Sequence, residues 1–276
     1  MWRGIGPMAL VAEQAGGWEV VQSALPGHDV ELLGYHDRAG TGLDMRILPS
    51  PRLTIVLMID GELRLDQQRP VTAGIASGLG VSSVRVLGQD VACVDIHLSP
   101  VTAHAVLDGA VAELAGTVVS FEDVWGAEAH RLRAALASTD RWEERFSHLR
   151  AAIAEKLRTN RSVDPEIAFV WRELVASGGQ RRIGDLAAQT GWSRKRLWSR
   201  FTAQIGVTPK RAAMIVRLSP AIQAIVDGTA ATEVAAVHGY ADQSHLTRDL
   251  KELAGYTPGS LYRDWQEGTF VQDAIG

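Results

Sequence analysis

An α+β fold is predicted for this chain of 276 residues: an N-terminal antiparallel β-barrel, a helical connector, and an all-α C-terminal domain of two consecutive helical hairpins. Three observations predict it. Short β-rich runs separated by turn signals fill the first hundred residues. The pattern turns helical at Pro100. Near the C-terminus one ordered set of residues occurs twice, 48 or 49 positions apart.

The runs in the first part are Val30 to Tyr35, Leu43 to Leu48, Leu53 to Ile59, Glu62 to Asp66, Val71 to Ala76, Ser83 to Leu87 and Val91 to Leu98. Asp60-Gly61, Gly78 to Gly80 and Gly88-Gln89-Asp90 read as the turns between them. Short strands at even spacing predict a small antiparallel barrel or sandwich, assigned to residues 1–99. His28, His36, His97 and His104 lie in or beside this region without a closely spaced His-x-His pair, so no metal site is expected. His97 shares a strand face with Asp95 and is placed to donate to it, as a structural histidine or a ligand-pocket donor.

Residues 100–162 form the connector. Trp142, Phe146, Leu149, Ile153 and Leu157 recur at spacings of 4, 3, 4 and 4, an apolar stripe along one helix. Two readings stand: the stripe packs on the chain's own barrel, or it forms a homodimer. Asp164-Pro165-Glu166 starts the next helix, with Asp as N-cap and Pro in the first turn. This opens a C-terminal domain over 163–265, followed by a tail at 266–276.

The repeat reads Ala187-x3-Gly191-x5-Leu197-x3-Phe201-x4-Gly206-Val207-Thr208-Pro209, then Ala235-x3-Gly239-x6-Leu246-x3-Leu250-x4-Gly255-Tyr256-Thr257-Pro258. A small alanine lets two helices cross closely, and the glycine permits the positive φ of a tight interhelical turn. Ser193 can cap the second helix, on which Leu197 and Phe201 share the buried face. The opposite face is left outward. In the first copy it carries Arg194, Lys195, Trp198 and Arg200, and in the second Gln243, Ser244, Thr247 and Arg248. These side chains suit phosphates and base edges: Arg and Lys neutralise phosphate or read guanine, Gln reads adenine, and Ser or Thr does either. Double-stranded DNA is the expected partner.

The segment from about Arg181 to Trp265 resembles the C-terminal domain of the AraC/XylS family of bacterial transcription regulators. The resemblance rests on Ile183-x2-Leu186-Ala187, Gly191-Trp192-Ser193, Leu197-x3-Phe201, Gly206-Val207-Thr208-Pro209, Arg217-Leu218-x2-Ala221 and, most specifically, Ala235-x3-Gly239-Tyr240-Ala241-Asp242-Gln243-Ser244-His245-Leu246-Thr247-Arg248. It implies that Lys195, Trp198 and Ser199 face bases from the first recognition helix and Gln243, Ser244 and Thr247 from the second. Arg200 and Arg248 then lie nearer the backbone, with Arg194 and His245 completing the interface. Arg is usual in the family where Ser199 stands, an aliphatic residue where Arg200 stands, and Phe where Leu250 stands. The N-terminal strands are similar in arrangement to the cupin-like barrel that such regulators carry ahead of the reader.

Pro220 falls inside the helix expected to join the two hairpins, from about Pro209 to Val226. That length is roughly 27 Å, near the ~34 Å between successive major-groove faces on one side of B-DNA. A kink near Val216 is expected, or a fresh helix start at Ser219-Pro220.

Charge is divided along the chain. The total is −4, yet residues 179–265 hold 12 Lys and Arg against 7 Asp and Glu. A basic reader joined to an acidic partner domain suits regulated DNA binding. The single cysteine, Cys93, excludes an internal disulfide. Met1 to Leu10 reads as neither signal peptide nor membrane span, so a cytoplasmic protein without membrane association is expected. No phosphate loop, nucleophile elbow or Cys/His constellation occurs, so neither an enzyme nor a cofactor is expected. The expected function is sequence-specific transcription regulation controlled by a small-molecule effector in the barrel, as activator or repressor, with RNA polymerase a partner of an activator. The alternative is a DNA-binding regulator without a ligand, whose barrel serves dimerisation or a protein partner.

Overall fold

The computed structural model describes residues 17–65 and 70–266. The expectations for Met1 to Leu10, for Asp66 and for the tail beyond 266 lie outside the described residues. Six strands precede the first helix, β1 (Trp18–Ala24), β2 (Val30–Asp37), β3 (Leu43–Ile47), β4 (Leu53–Leu65), β5 (Gly74–Ser77) and β6 (Val84–Leu98), and a seventh, β7 (Val118–Ser120), follows it. They pair antiparallel in the order β1-β2-β6-β4-β5-β7, with β3 also paired to β6. The expected cupin-like barrel is corrected to an open sheet: β1 pairs only with β2 and β7 only with β5 among the described residues, so the ends do not meet.

The strand divisions change for a related reason. Asp60-Gly61 and Gly88-Gln89-Asp90 were expected to be turns, but both lie inside long strands. They face each other across the β4–β6 ladder, whose register slips at Met58/Asp60 and again at Asp60/Glu62. Positive φ at Gly61 (76°) and Asp90 (51°) thus serves a bulge that bends the sheet rather than ending a strand. The bend lets β3 fold against the first half of β6 while β2 follows its second half.

Alternation along the strands gives the sheet two buried faces. Leu33, Tyr35, Met45, Val56, Met58, Ile75 and Cys93 pack together on the inner face. Leu32, Ile55, Leu57, Val94 and Ile96 on the outer face join a core that continues through the helices to Leu261.

The connector comprises α1 (Pro100–Val106), a 3-10 turn at Ala110–Ala112, α2 (Phe121–Trp125), α3 (Ala127–Ala137) and α4 (Trp142–Thr159). Phe146, Leu149 and Ile153 of the predicted stripe are buried, with Trp142 and Leu157 half-buried against the same core. Trp142 lies flat on β2 at Gly34, where an added Cβ would stand 2.5 Å from the indole. The stripe therefore packs within the chain, and the outward face of α4 carries Glu143, Glu144, Glu155 and Arg158.

The remaining helices are α5 (Pro165–Ala176), α6 (Ile183–Gln189), α7 (Arg194–Ile205), α8 (Pro209–Val226), α9 (Ala231–Val237), α10 (Gln243–Ala254) and α11 (Pro258–Gln266). Both copies of the repeat form helix-turn-helix units, α6–α7 and α9–α10. Ala187 and Ala235 are 2% exposed at the two crossings, and Gly191 and Gly239 turn the chain at φ 70° and 73°. α8 runs unbroken through Pro220, so the alternative of a second helix starting at Ser219 is not taken.

Candidate nucleic-acid interface

α7 and α10 each bury one face and present the other. Leu197, Phe201 and Ile205 are buried beneath α7, and Leu246, Leu250 and Leu253 beneath α10. Leu250 thus fills its core position without a ring. Each helix starts on a side-chain cap: the Ser193 hydroxyl accepts from the Arg196 N–H, and the Asp242 carboxylate from that of His245. The caps leave the first turn pointing outward with its remaining N–H donors, the part of a recognition helix that meets DNA.

On α7, Arg194, Lys195, Trp198, Ser199 and Arg200 are all exposed. Trp198 is 47% exposed, unusual for an indole, whereas Trp192 beside the turn is half-buried and covered by the Arg196 guanidinium 4.4 Å from its ring. Arg200 differs from its neighbours. Its Nε and Nη2 donate to the two carboxylate oxygens of Asp164, at 2.8 and 2.9 Å. Asp164 occupies the N-cap position of α5 but makes no capping bond, so the carboxylate read from sequence as a cap holds a recognition-helix arginine instead.

On α10, Gln243, Ser244 and Arg248 are exposed, and His245 and Thr247 are half-buried. His245 Nδ1 accepts from the Ala241 N–H at 3.4 Å, its ring meets Tyr240 edge-on at 5.2 Å, and Nε2 lies 3.8 Å from Asp249. Thr247 donates its hydroxyl to the Gln243 carbonyl at 2.8 Å. Behind them the Arg217 guanidinium stacks 4.6 Å over Tyr240 and pairs with Asp249 at 2.9 Å. Burial pushes the Tyr240 hydroxyl up to about 12 despite Arg217. Tyr240, His245 and Asp249 thus form the scaffold of the second unit, which gives much of its sequence signature a structural cause.

Two features were not read from the sequence. Lys210 and Arg211, at the start of α8, line an open groove with Arg217, His245, Arg248, Asp249 and Glu252, a groove of mixed charge in which Arg211 pairs with Glu252 and Arg217 with Asp249. Their signal was only their place after Thr208-Pro209, whose hydroxyl caps the helix by accepting from Arg211 N–H. Asp164 was visible, but its partner lies 36 residues away.

The first unit is also fastened to the connector. His104 Nδ1 on α1 lies 3.1 Å from the Gln204 carbonyl on α7, while the Gln204 side chain accepts from the Asp164 N–H at 2.8 Å. Gly206, at φ 89°, ends α7 so close to the 3-10 turn that a Cβ would meet the Val111 carbonyl oxygen at 2.8 Å.

Away from the interface, Asp95 and His97 share the inner face of β6, Nε2 to Oδ2 3.3 Å, both with no exposed surface. Burial holds the Asp95 carboxyl above its ordinary range against the pull of His97. Burial would depress His97, but the Asp95 and Glu31 carboxylates push it up to about 9. Among the described residues no group of three or more His, Cys, Asp or Glu is arranged to hold a metal ion, and no helix is long and apolar enough to cross a membrane.

Residues 186–264 match the family model of a helix-turn-helix domain. A stretch of 64 residues is 36% identical to the uncharacterized HTH-type transcriptional regulator YbfI of Bacillus subtilis (strain 168), spanning 23% of this chain and 23% of that protein. Among solved structures, ToxT from Vibrio cholerae is similar over 93% of this chain and 98% of its own, at 13% identity and a TM-score of 0.46. Wild-type ToxT from strain SCE256, bound to an unsaturated fatty acid, is similar over 96% and 99%, at 15% and 0.43. The AraC-like transcriptional activator CuxR is similar over 79% and 85%, at 17% and 0.35.

Proposed function

Because the C-terminal domain of this chain is an AraC-type helix-turn-helix domain, we propose that the protein is a sequence-specific regulator of transcription whose N-terminal sheet receives a small-molecule effector. The carrying observation is that two recognition helices of one domain present unlike exposed faces. That of α7 is basic and aromatic; that of α10 is polar and uncharged until Arg248. One monomer then reads an asymmetric site of two different elements. In this reading Lys195, Trp198, Ser199, Gln243, Ser244 and Thr247 meet bases, and Arg194, Arg200 and Arg248 meet phosphates. His245 orients the helix from within. The working division is a sensor over 1–99, a connector over 100–162 and a reader over 163–265, in a cytoplasmic protein, with RNA polymerase a partner if it activates.

The effector part is supported by buried polar side chains on the inner face of the sheet. An effector acts only through its differential affinity for the DNA-competent and incompetent placements of the reader. The contacts of α1 and the 3-10 turn with α7 give such a difference a path. A second reading is favoured by one observation: the apolar side chains of the inner face already pack on one another. In it the sheet serves a protein partner or a second copy. No catalytic role is proposed.

Selection of bound fragments from random DNA by the full-length protein tests the reader. Enrichment of a bipartite, non-palindromic site is the expected outcome. Recovery of unenriched DNA, with retention that depends only on salt, overturns sequence-specific reading.

A further inference from the structure

Indoles elsewhere in the chain are covered by a cation, and the one on the candidate interface is not. Lys156 lies 5.3 Å from the Trp125 ring, Arg145 4.7 Å from that of Trp142 and Arg196 4.4 Å from that of Trp192. Trp198, on the outward face of α7, carries no such cation among the described residues and is 47% exposed. It is also the one large apolar side chain exposed on either recognition helix. The other two exposed among the described residues, Val237 and Tyr262, lie on α9 and α11.

Cations stand close to Trp198 in sequence, but they are engaged elsewhere. The Arg194 guanidinium lies against Gly184 of α6, where an added Cβ would stand 2.7 Å from its Nη2. Arg196 covers Trp192, and Arg200 donates through Nε and Nη2 to Asp164. Each arginine of α7 is thereby held to the protein. Lys195, Trp198 and Ser199 are exposed with no side-chain hydrogen bond, ion pair or cation–π partner among the described residues. Spaced at i, i+3 and i+4, they share one face. They fall in the first half of α7, the part of a recognition helix that meets base edges.

We infer that Trp198 makes α7 a reader of thymine, its apolar ring packing on the C5 methyl group and its Nε1–H donating to O4. The inference rests on the reading of α7 as a recognition helix and names the base that helix takes. In the major groove each base edge offers a different set of groups, and thymine offers a methyl group beside one acceptor. An indole offers apolar surface beside one donor, with no acceptor. The two match group for group. Adenine and cytosine present an amino donor that the indole cannot accept, and it would be buried without a partner. Guanine presents two acceptors and no methyl group, an edge suited to a bidentate arginine, and the arginines of α7 are engaged. Packing the indole on a methyl group also removes apolar surface from water at little entropic cost, because the ring is rigid.

The probe is the site that the full-length protein selects, made as synthetic duplexes in which each thymine in turn is replaced by deoxyuridine. The replacement removes the methyl group and keeps O4. At one thymine of the site it is expected to weaken binding by the wild-type protein about three- to fivefold, the worth of one buried methyl group. Trp198→Ala is expected to bind the thymine site more weakly and to bind the two duplexes alike. Its salt dependence is expected to be unchanged, because the indole neutralises no phosphate. With 5-methylcytosine at that position the wild-type protein is expected to bind tighter than with cytosine, and the variant equally. Circular dichroism shows whether the variant is folded. Trp198→Gln, which keeps a donor and drops the ring, carries the test if Trp198→Ala is not. A selected site that no deoxyuridine weakens, a methyl effect that persists in the folded variant, or undiminished binding by that variant overturns the assignment and leaves α7 a recognition helix. A protein that selects no site loses the reading of α7 and the thymine with it.

Discussion

Arg200 and Asp164 form a two-pronged ion pair, with Nε to Oδ2 2.8 Å and Nη2 to Oδ1 2.9 Å, joining the first recognition helix to the start of α5. A bidentate carboxylate satisfies a guanidinium in the geometry that a phosphate would use. Arg200 therefore reaches DNA only by leaving Asp164. Asp164→Asn removes the competing charge while keeping the Asp164 N–H bond to Gln204. The variant is expected to bind DNA about two- to fivefold tighter, the size of a part-exposed ion pair, with a steeper salt dependence. Gel shifts at several salt concentrations measure both. Unchanged or weaker affinity would mean that Arg200 is a structural residue.

Lys195 and Gln243 are exposed near the starts of α7 and α10, where side chains of a recognition helix reach base edges. Lys195→Ala and Gln243→Ala are each expected to weaken the selected site by about 1–3 kcal/mol relative to non-specific DNA. Competition titrations against the selected site and a scrambled one give that difference. Equal loss on both sequences would make them phosphate contacts.

The double helix-turn-helix was legible because its constraints are local. Ala187, Gly191 and Leu197, and their counterparts Ala235, Gly239 and Leu246, are required by a crossing, a turn and a buried face within a few residues of each other. The sheet was less legible because turn chemistry does not say whether a turn follows. Asp60-Gly61 and Gln89-Asp90 supply backbone that a hairpin or a bulge can use, and only their meeting across β4 and β6 decides for the bulge. β1, from Trp18 to Ala24, lacks an aliphatic run and was missed. In the interface, exposure of Lys195, Trp198 and Gln243 followed from helical periodicity. The pairing of Arg200 with Asp164 did not, because it depends on how α5 packs beside α7. The Trp142 to Leu157 stripe left two partners open in sequence, and Gly34, which admits the indole, marks the partner used.

Pro220 sits inside α8 between the two readers. A proline at an interior position cannot bond the carbonyl one turn back, at Val216, and crowds it. Pro220→Ala restores that bond, so thermal unfolding is expected to move upward. The substitution is also expected to alter the relative placement of α7 and α10. Gel shifts against variants of the selected site, with its two elements moved apart or together by single base pairs, are expected to show a new preferred spacing or a changed affinity. Identical spacing and affinity would show that α8 is set by its packing and not by Pro220.

The pH dependence of stability follows from the buried pair on β6. His97 titrates at about 9 in the folded chain, above the ordinary 6.5. A group with a raised folded pKa stabilises fully below its unfolded value, and that contribution fades as pH rises through the folded one. Asp95, also raised, acts on the same side, since ionising it in its apolar setting becomes costlier as the imidazolium is lost. Glu19, Asp37 and Asp44 are held below their ordinary ranges, so their contributions are lost only in acid. Stability is therefore expected to be greatest between about pH 5 and 6.5 and to fall towards pH 9.5, by a few kcal/mol at most. Asp95→Asn removes the carboxylate that holds the proton on His97, and its alkaline slope should be shallower. Urea midpoints at pH 6.5, 8 and 9.5 for both proteins measure this. Parallel slopes would place the alkaline loss elsewhere than in the Asp95–His97 pair.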